Sequence, residues 1–320
     1  MMQGETLAGF VVSKCVGNLL HGAIDLHVHC YPDLGFGVRR AAEDWTTAES
    51  ARNMGMRGLV LKSHLWPTTN TAYHLRHAIS GIDIYGSITM NISAGGISPW
   101  AAEAAIQQGA KAIFLPTWSA KNDWNSGGFS QLMKEWFPSL NALGIKDLLV
   151  ILDNSGRLLP EVTAILNMAK EHCVMLATGH LSISETLVLA REAHRIGFTQ
   201  LLVAHPLAHH IAADSSQLKE LASLGAYIEF SALSCFWPGT PYTALEKTVE
   251  AIHTLGPEQC VLTTDSFFEW PPVSSEFLRM FIARLLLLGI EEESIARMVR
   301  QNPAKLLGLC PECCRPDDCA

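Results

Sequence analysis

Gly22-Ala23-Ile24-Asp25-Leu26-His27-Val28-His29 is the stretch on which the reading of this chain turns. The run is apolar up to Ile24 and reads as a β-strand. Side chains two apart on a strand share a face, so His27 and His29 point the same way. If the strand ends there, both imidazoles leave its C-terminal end into one small volume. Two imidazoles at one point are half of a divalent-metal site. The alternative is a pair of ordinary histidines on a solvated face.

Seven further β-rich runs follow, at 58–64, 82–91, 111–116, 173–180, 200–206, 226–231 and 260–265. Between them lie amphipathic stretches, among them 47–54, 99–108, 159–171, 184–196, 216–224 and 244–255, with further helices expected at 275–289 and 291–299. Strands separated by helices predict a parallel sheet. Eight of them predict an α/β fold closed into a (β/α)8 TIM-type barrel, regular or distorted, with active residues on the loops after the strands. A hairpin is expected as an insertion after strand 4, from 147–153 and a turn at Asn154-Ser155-Gly156. An open doubly wound sheet is the alternative, but it would carry a glycine-rich phosphate turn after strand 1. That position reads His27-Val28-His29-Cys30-Tyr31-Pro32.

Composition narrows the setting. The 320 residues are 48% hydrophobic, enough for one large core, and carry a net charge of −8. A nucleic-acid binder would want a basic stripe, and none is read. The first twenty residues contain Glu5 and Lys14 and no basic leader is read; the apolar run 285–290 is too short to span a bilayer. A cytoplasmic setting is expected, with no membrane and no nucleic acid among the partners, a small-molecule substrate, and room for a homo-oligomer. Residues 1–309 are expected to form one domain. Cys15, Cys30, Cys173, Cys235 and Cys260 read as reduced thiols in apolar segments. Cys310, Cys313, Cys314 and Cys319 crowd the tail 310–320, where Cys310-Pro311-Glu312-Cys313 lacks the usual second pair of a metal ribbon. A disordered tail with exposed thiols and a metal-scavenging or redox element both remain open.

If the barrel closes, polar residues at the strand ends converge: His27 and His29 from strand 1, Lys62 and His64 from strand 2, His180 from strand 5, His205 from strand 6 and Asp265 from strand 8. Taken singly, His180 and His205 could be hydrogen-bonded interior histidines and Asp265 a helix cap. A lysine ending an apolar strand is costly to bury without a partner.

Asp25-x-His27-x-His29, the histidines ending strands 5 and 6 and the aspartate ending strand 8 resemble the amidohydrolase superfamily of metal-dependent hydrolases. Asn302-Pro303-Ala304…Leu307-Gly308-Leu309 resembles its C-terminal helix signature. More narrowly, Lys62-Ser63-His64, Asn91…Gly95-Gly96-Ile97-Ser98-Pro99, Leu115-Pro116-Thr117, Thr178-Gly179-His180 and His205-Pro206 resemble an uncharacterised amidohydrolase-like family. The resemblance runs from about Gly22 to Leu309 and is weak on substrate. It implies one metal on His27, His29 and Asp265, with His180 and His205 holding a second or facing substrate. The chain departs from the pattern at strand 4, which ends Phe114-Leu115-Pro116-Thr117 and supplies no carboxylated lysine or glutamate to bridge two ions. A carboxylated Lys62 would substitute; the competing roles are an ammonium that polarises a substrate oxygen and a Schiff-base nucleophile.

One or two divalent ions are therefore expected, zinc first for histidine and carboxylate ligands, then manganese, iron or cobalt. A metal-activated water would attack a carbonyl-type carbon, Asp265 would move its proton, and His64 or His180 would help stabilise the oxyanion. Catalytic roles thus fall to Asp265, Lys62 and His64. Aromatics crowd the loops after the strands, Trp66, Trp118, Trp237, Phe267 and Phe268 among them; they read equally as lid packing and as a pocket for an apolar or aromatic substrate. Trp118, Trp237, Asn91, Thr117 and Arg39, beside Arg40, are the substrate-binding candidates, and His209 and His210 are further pocket candidates. Segment 118–148 reads as a lid or an oligomer contact. The leading function is hydrolysis of a C–N or C–O bond in an amide, lactone or cyclic amide. A metal-dependent decarboxylase or lyase, a metal-free Schiff-base enzyme using Lys62, and a binding protein on the same fold are the alternatives.

Overall fold

In the computed structural model, residues 15–136, 148–239 and 243–309 are described. Eight parallel strands form one sheet in sequential order: β1 (Ile24–His29), β2 (Gly58–Lys62), β3 (Asp83–Thr89), β4 (Ala110–Phe114), β5 (Met175–Ala177), β6 (Leu201–Val203), β7 (Tyr227–Ser231) and β8 (Cys260–Thr263). Helices alternate with them, beginning with α1 (Asp44–Asn53), α2 (Thr69–Ala78) and α3 (Pro99–Gln107). This is the (β/α)8 barrel that strand–helix alternation predicts.

The strands stop two or three residues short of several expected ends, so His64, Asn91, Thr117, His180, His205 and Asp265 stand just beyond them, on the rim that carries function in such barrels.

The barrel closes through side chains as much as through a ladder. Val28 bridges Ser266 in parallel, and the Asp265 N–H donates to the His27 carbonyl at 2.9 Å. The buried Asp25 carboxylate accepts from the Thr264 N–H at 3.1 Å and from the Thr264 hydroxyl at 2.5 Å. Asp25 of the first motif thus pins β1 to the end of β8.

Two apolar layers flank the strands. The inner one holds Ile24, Leu26, Val60, Phe114, Leu202 and Val261, with Leu306 and Leu307 packed against the same cluster. The outer one lies between strands and helices and includes Val28, Leu61 and Ile113. Ile24 and Leu26 belong inside and Val28 outside, yet the His27 ring lies 5.4 Å from the inner Phe114 ring. The register shift between Asp25 and Val28 accounts for this. A bulge breaks the two-residue alternation and turns His27 inward beside Leu26.

The expected hairpin is reduced to isolated bridges, Ala120 to Leu149 and Leu152 to Leu158. Leu149 exchanges hydrogen bonds with Ser119 and Lys121, and the Ile151 N–H donates to Glu185 at 3.1 Å. Across the expected turn the Asp153 N–H donates to the Arg157 carbonyl at 2.8 Å and the Leu159 N–H to the Ile151 carbonyl at 2.9 Å, so a short hairpin survives there. The tail 310–320, and part of the expected lid segment, lie outside the described residues. No helix among the described residues is long and apolar enough to cross a membrane.

Candidate metal centre

His27 and His29 reach the same carboxylate. Asp265 Oδ1 lies 3.1 Å from His27 Nε2 and 3.2 Å from His29 Nε2. Ligating atoms of the three residues all lie within 4.8 Å of one another, and all three residues are buried or nearly so.

Each ring is turned by an acid behind it. Glu229 from β7 meets His27 Nδ1 at 3.0 Å, and Asp33 meets His29 Nδ1 at 2.8 Å. Asp123, in helix α4 (Lys121–Asn125), meets His180 Nδ1 at 2.5 Å. With Nδ1–H given to these acids, the Nε2 lone pairs are the ones left to face the rim. Metal-ligating histidines are oriented in this way, through a carboxylate on the other nitrogen. Burial keeps His27 and His180 well below the ordinary histidine range, so both rings are neutral, the form that binds metal. A neutral lone pair 3.1 Å from a carboxylate oxygen is repulsive unless a cation lies between them. The donor set therefore fits a divalent ion, and histidine with carboxylate suits zinc.

Asp33 is a hub, and its ligating atom also lies within 4.8 Å of those of His29 and His64. Its oxygens accept from His29, from His64 Nδ1 at 2.7 Å, from the His64 N–H at 2.6 Å and from the Ser63 hydroxyl at 2.7 Å. Burial opposes its charge, yet His64 and His29 hold its carboxyl well below the usual range. His64 is pushed down to about 3, chiefly by burial. It is neutral with Nδ1 on Asp33, so Nε2 is an acceptor. The oxyanion-donor role expected of His64 does not fit that tautomer.

Lys62 is 1% exposed, with Nζ 2.9 Å from His27 Nε2. Burial pulls its ammonium down, against the pull of Asp265, Glu229 and Asp33. His205 completes the group, its N–H bound to Glu229 at 2.9 Å and its ring 5.9 Å from that of His27.

Local backbone explains the motif residues. Asp265 and His205 have φ of 52° and 26°, left-handed values uncommon for non-glycine residues, and these set the direction in which the two side chains leave the strand ends. Gly179 has φ 59°, and a Cβ there would strike the carbonyls of Leu115 and Pro116. Thr178-Gly179-His180 needs its glycine so that strand 5 can pass strand 4 before His180 turns in.

The remaining expected residues fall in three places. Trp237 lines the rim pocket, a cavity of about 400 Å³ that also contains His209 and His210. Asn91, Thr117 and Trp118 are buried outside it and hold His64: Asn91 Nδ2 donates to the His64 carbonyl at 2.9 Å and to Thr117 Oγ1 at 2.7 Å, and Trp118 Nε1 donates to the same carbonyl at 3.2 Å. Arg39 is exposed and outside the pocket, whereas Arg40 turns in and donates to the Ser266 carbonyl at 2.6 Å. The sequence reading missed Glu229, Asp33 and Asp123. Glu229 had a signal, a lone acid in the apolar run 226–231; Asp33 and Asp123 lie in segments with no periodicity to mark them.

The model of a family of unknown function, DUF6282, matches residues 22–229. The chain belongs to that family. Within the DUF6282 match fall His27, His29, Lys62, His180 and His205 with their three orienting acids; Asp265 lies beyond it. Comparison with curated proteins finds no match. Solved structures share the fold of this DUF6282 protein at low identity. An amidohydrolase from Pseudomonas aeruginosa is 11% identical with a TM-score of 0.58, covering 91% of this chain and 98% of its own. A lactonase from Listeria monocytogenes is 13% identical at 0.55, covering 89% and 94%. An organophosphorus hydrolase from Deinococcus radiodurans is 16% identical at 0.54, covering 90% and 92%. What these structures share with the chain is the barrel fold.

Proposed function

We propose that this DUF6282 protein is a metal-dependent hydrolase that cleaves a C–N or C–O bond, as in an amide, lactone or cyclic amide, of a small apolar or aromatic substrate. One observation carries the reading: His27 and His29, each backed by an acid on Nδ1, both aim Nε2 at Asp265 on the functional rim. Names such as amidohydrolase, lactonase and organophosphorus hydrolase among proteins of the same fold agree with it.

A divalent ion bound there supplies Lewis acidity and brings the pKa of water toward neutrality. The chain's own residues do the rest. Glu229 and Asp33 fix the rings of His27 and His29. Asp265 is an acceptor within reach of the pocket and suits proton transfer. His64, held by Asp33 and pushed down to about 3 by burial, stays neutral and offers Nε2 as a hydrogen-bond acceptor to a substrate N–H or O–H. Lys62 is desolvated, and a neutral amine is what carbamate formation requires; a carbamate at Nζ would lie beside the His27 nitrogen that is to hold the ion.

The pocket wall supports the substrate class. Phe129, Leu132, Leu233, Trp237, Phe267 and Phe268 line it, and among the described lining residues Lys62 is the only lysine or arginine. Such a wall favours an uncharged acyl or aryl group and offers no clamp for a carboxylate tail.

The test is chelation followed by reconstitution with zinc, manganese, iron or cobalt, against a panel of neutral aryl amides, lactones and esters. Loss of turnover on chelation and recovery on addition of metal are expected, with no recovery in His27→Ala or Asp265→Asn. Metal-independent turnover, or trapping of substrate on Lys62 by borohydride, would overturn the reading in favour of a Schiff-base enzyme.

A further inference from the structure

We infer that His210 is a metal ligand, completing with His180 and His205 a three-histidine site that holds a second divalent ion without any carboxylate from strand 4. The inference rests on the hydrolase reading above and adds to it the residue that makes the second site self-sufficient.

The three rings pack around a common point. Centroids are 4.4 Å apart for His180 and His210, 5.0 Å for His180 and His205, and 5.4 Å for His205 and His210. One nitrogen from each lies within 4.8 Å of one from each of the others. His180 gives Nδ1 to Asp123, which leaves Nε2 as its free nitrogen. His205 Nδ1 and His210 Nε2 are buried without a hydrogen-bond partner among the described residues. Orphaned buried imidazole nitrogens are costly, because the lost water bond is not replaced. Two of them in one cluster of three histidines need a shared partner, and a cation that accepts lone pairs is the partner that satisfies all the rings together. Three neutral imidazoles with one open position are an established donor set for zinc.

The chain spends structure on this arrangement. Asn122 Nδ2 donates to the His180 carbonyl at 3.1 Å and to the His210 carbonyl at 2.8 Å. One amide thus ties the loop after β5 to the loop after β6, and the next residue, Asp123, turns the His180 ring. Beyond β6, the Ala208 N–H returns to the His205 carbonyl at 2.9 Å and the Ala213 N–H to the Pro206 carbonyl at 2.9 Å, a fold-back that carries His210 over His205. His210 therefore raises the ligand count of a group to which strand 4 contributes no carboxylate.

Divalent cobalt titrated into the chelated full-length protein is the probe, read by calorimetric stoichiometry and by visible absorption. Wild type should take two ions. His210→Ala, with His210→Gln as the gentler variant should alanine fail to fold, should keep one ion and bind the other at least about tenfold more weakly. The double variant His27→Ala/His29→Ala should keep one ion, on the three histidines. Two ions bound by the His210 variants at wild-type affinity, or none bound by the double variant, would overturn the inference. Wild type binding no cobalt would instead overturn the hydrolase reading itself.

Discussion

Glu229 and His27 meet across the barrel floor, Oε1 lying 3.0 Å from Nδ1, and this contact joins β7 to β1 at the base of the site. The same carboxylate accepts the His205 N–H at 2.9 Å and the Thr263 hydroxyl at 2.8 Å. One buried acid therefore sets the tautomer of a ligand, the backbone of a second histidine and the end of β8. Glu229→Gln keeps the shape but loses the anion behind His27. Metal affinity of the first site should fall about 10- to 100-fold, measured by competition with a chromophoric chelator. Unchanged affinity would make Glu229 a packing residue only.

Asn91 joins three loops. Its Oδ1 accepts the Thr117 N–H at 2.8 Å and the Ser119 hydroxyl at 2.8 Å, while its Nδ2 serves the His64 carbonyl. Asn91→Ala strands several buried polar groups at about 1–3 kcal/mol each before relaxation. A large fall in denaturation midpoint is expected, with binding of inhibitor or substrate to the surviving folded fraction little changed. A variant as stable as wild type would show that the network is dispensable.

Asp44 provides a pH signature at the start of α1, where its carboxylate accepts the Tyr31 N–H at 2.8 Å. Burial raises its carboxyl from 3.8 to about 6, opposed by the hydrogen bond from the Tyr31 N–H and by Arg40. The folded state thus holds this proton more tightly than the unfolded chain. The stability it contributes is complete below about pH 4 and is lost as pH rises through about 6. In chelated protein, Asp44→Asn should gain on wild type over that window by on the order of 2 kcal/mol, discounted for partial solvation of the carboxylate. Urea unfolding at both ends of the window measures it; parallel curves would contradict the assignment.

Lys62 should respond to carbon dioxide. Protein exchanged into labelled bicarbonate with zinc present should show a carbamate resonance in carbon-13 spectra, absent from Lys62→Met. Its absence from metal-loaded wild type would leave Lys62 as an amine.

The fold was legible because the strands are apolar, short and regularly spaced, and because seven chemistry-bearing residues fall at their ends. That His27 and His29 share a face was readable from strand period, although the bulge that turns His27 inward was not. What escaped was the layer behind the ligands. Asp33 acts from a loop and Asp123 from a five-residue helix, both too short or irregular for periodicity to fix direction, and their partners are decided by folding across the barrel. Asn91, Thr117 and Trp118 were read as facing substrate, yet they brace His64, since strand-end position sets the rim but not which side of a loop a side chain takes. Arg39 and Arg40 show the same limit: adjacent residues point oppositely, and only Arg40 turns in.

Anomalous diffraction from crystals grown with zinc, recorded at the zinc absorption edge, most directly probes the cation-holding role of the first strand's histidines. A peak in contact with His27 Nε2, His29 Nε2 and Asp265 is the predicted result. Density at those three residues with no anomalous signal, in crystals where zinc binds elsewhere, would contradict it.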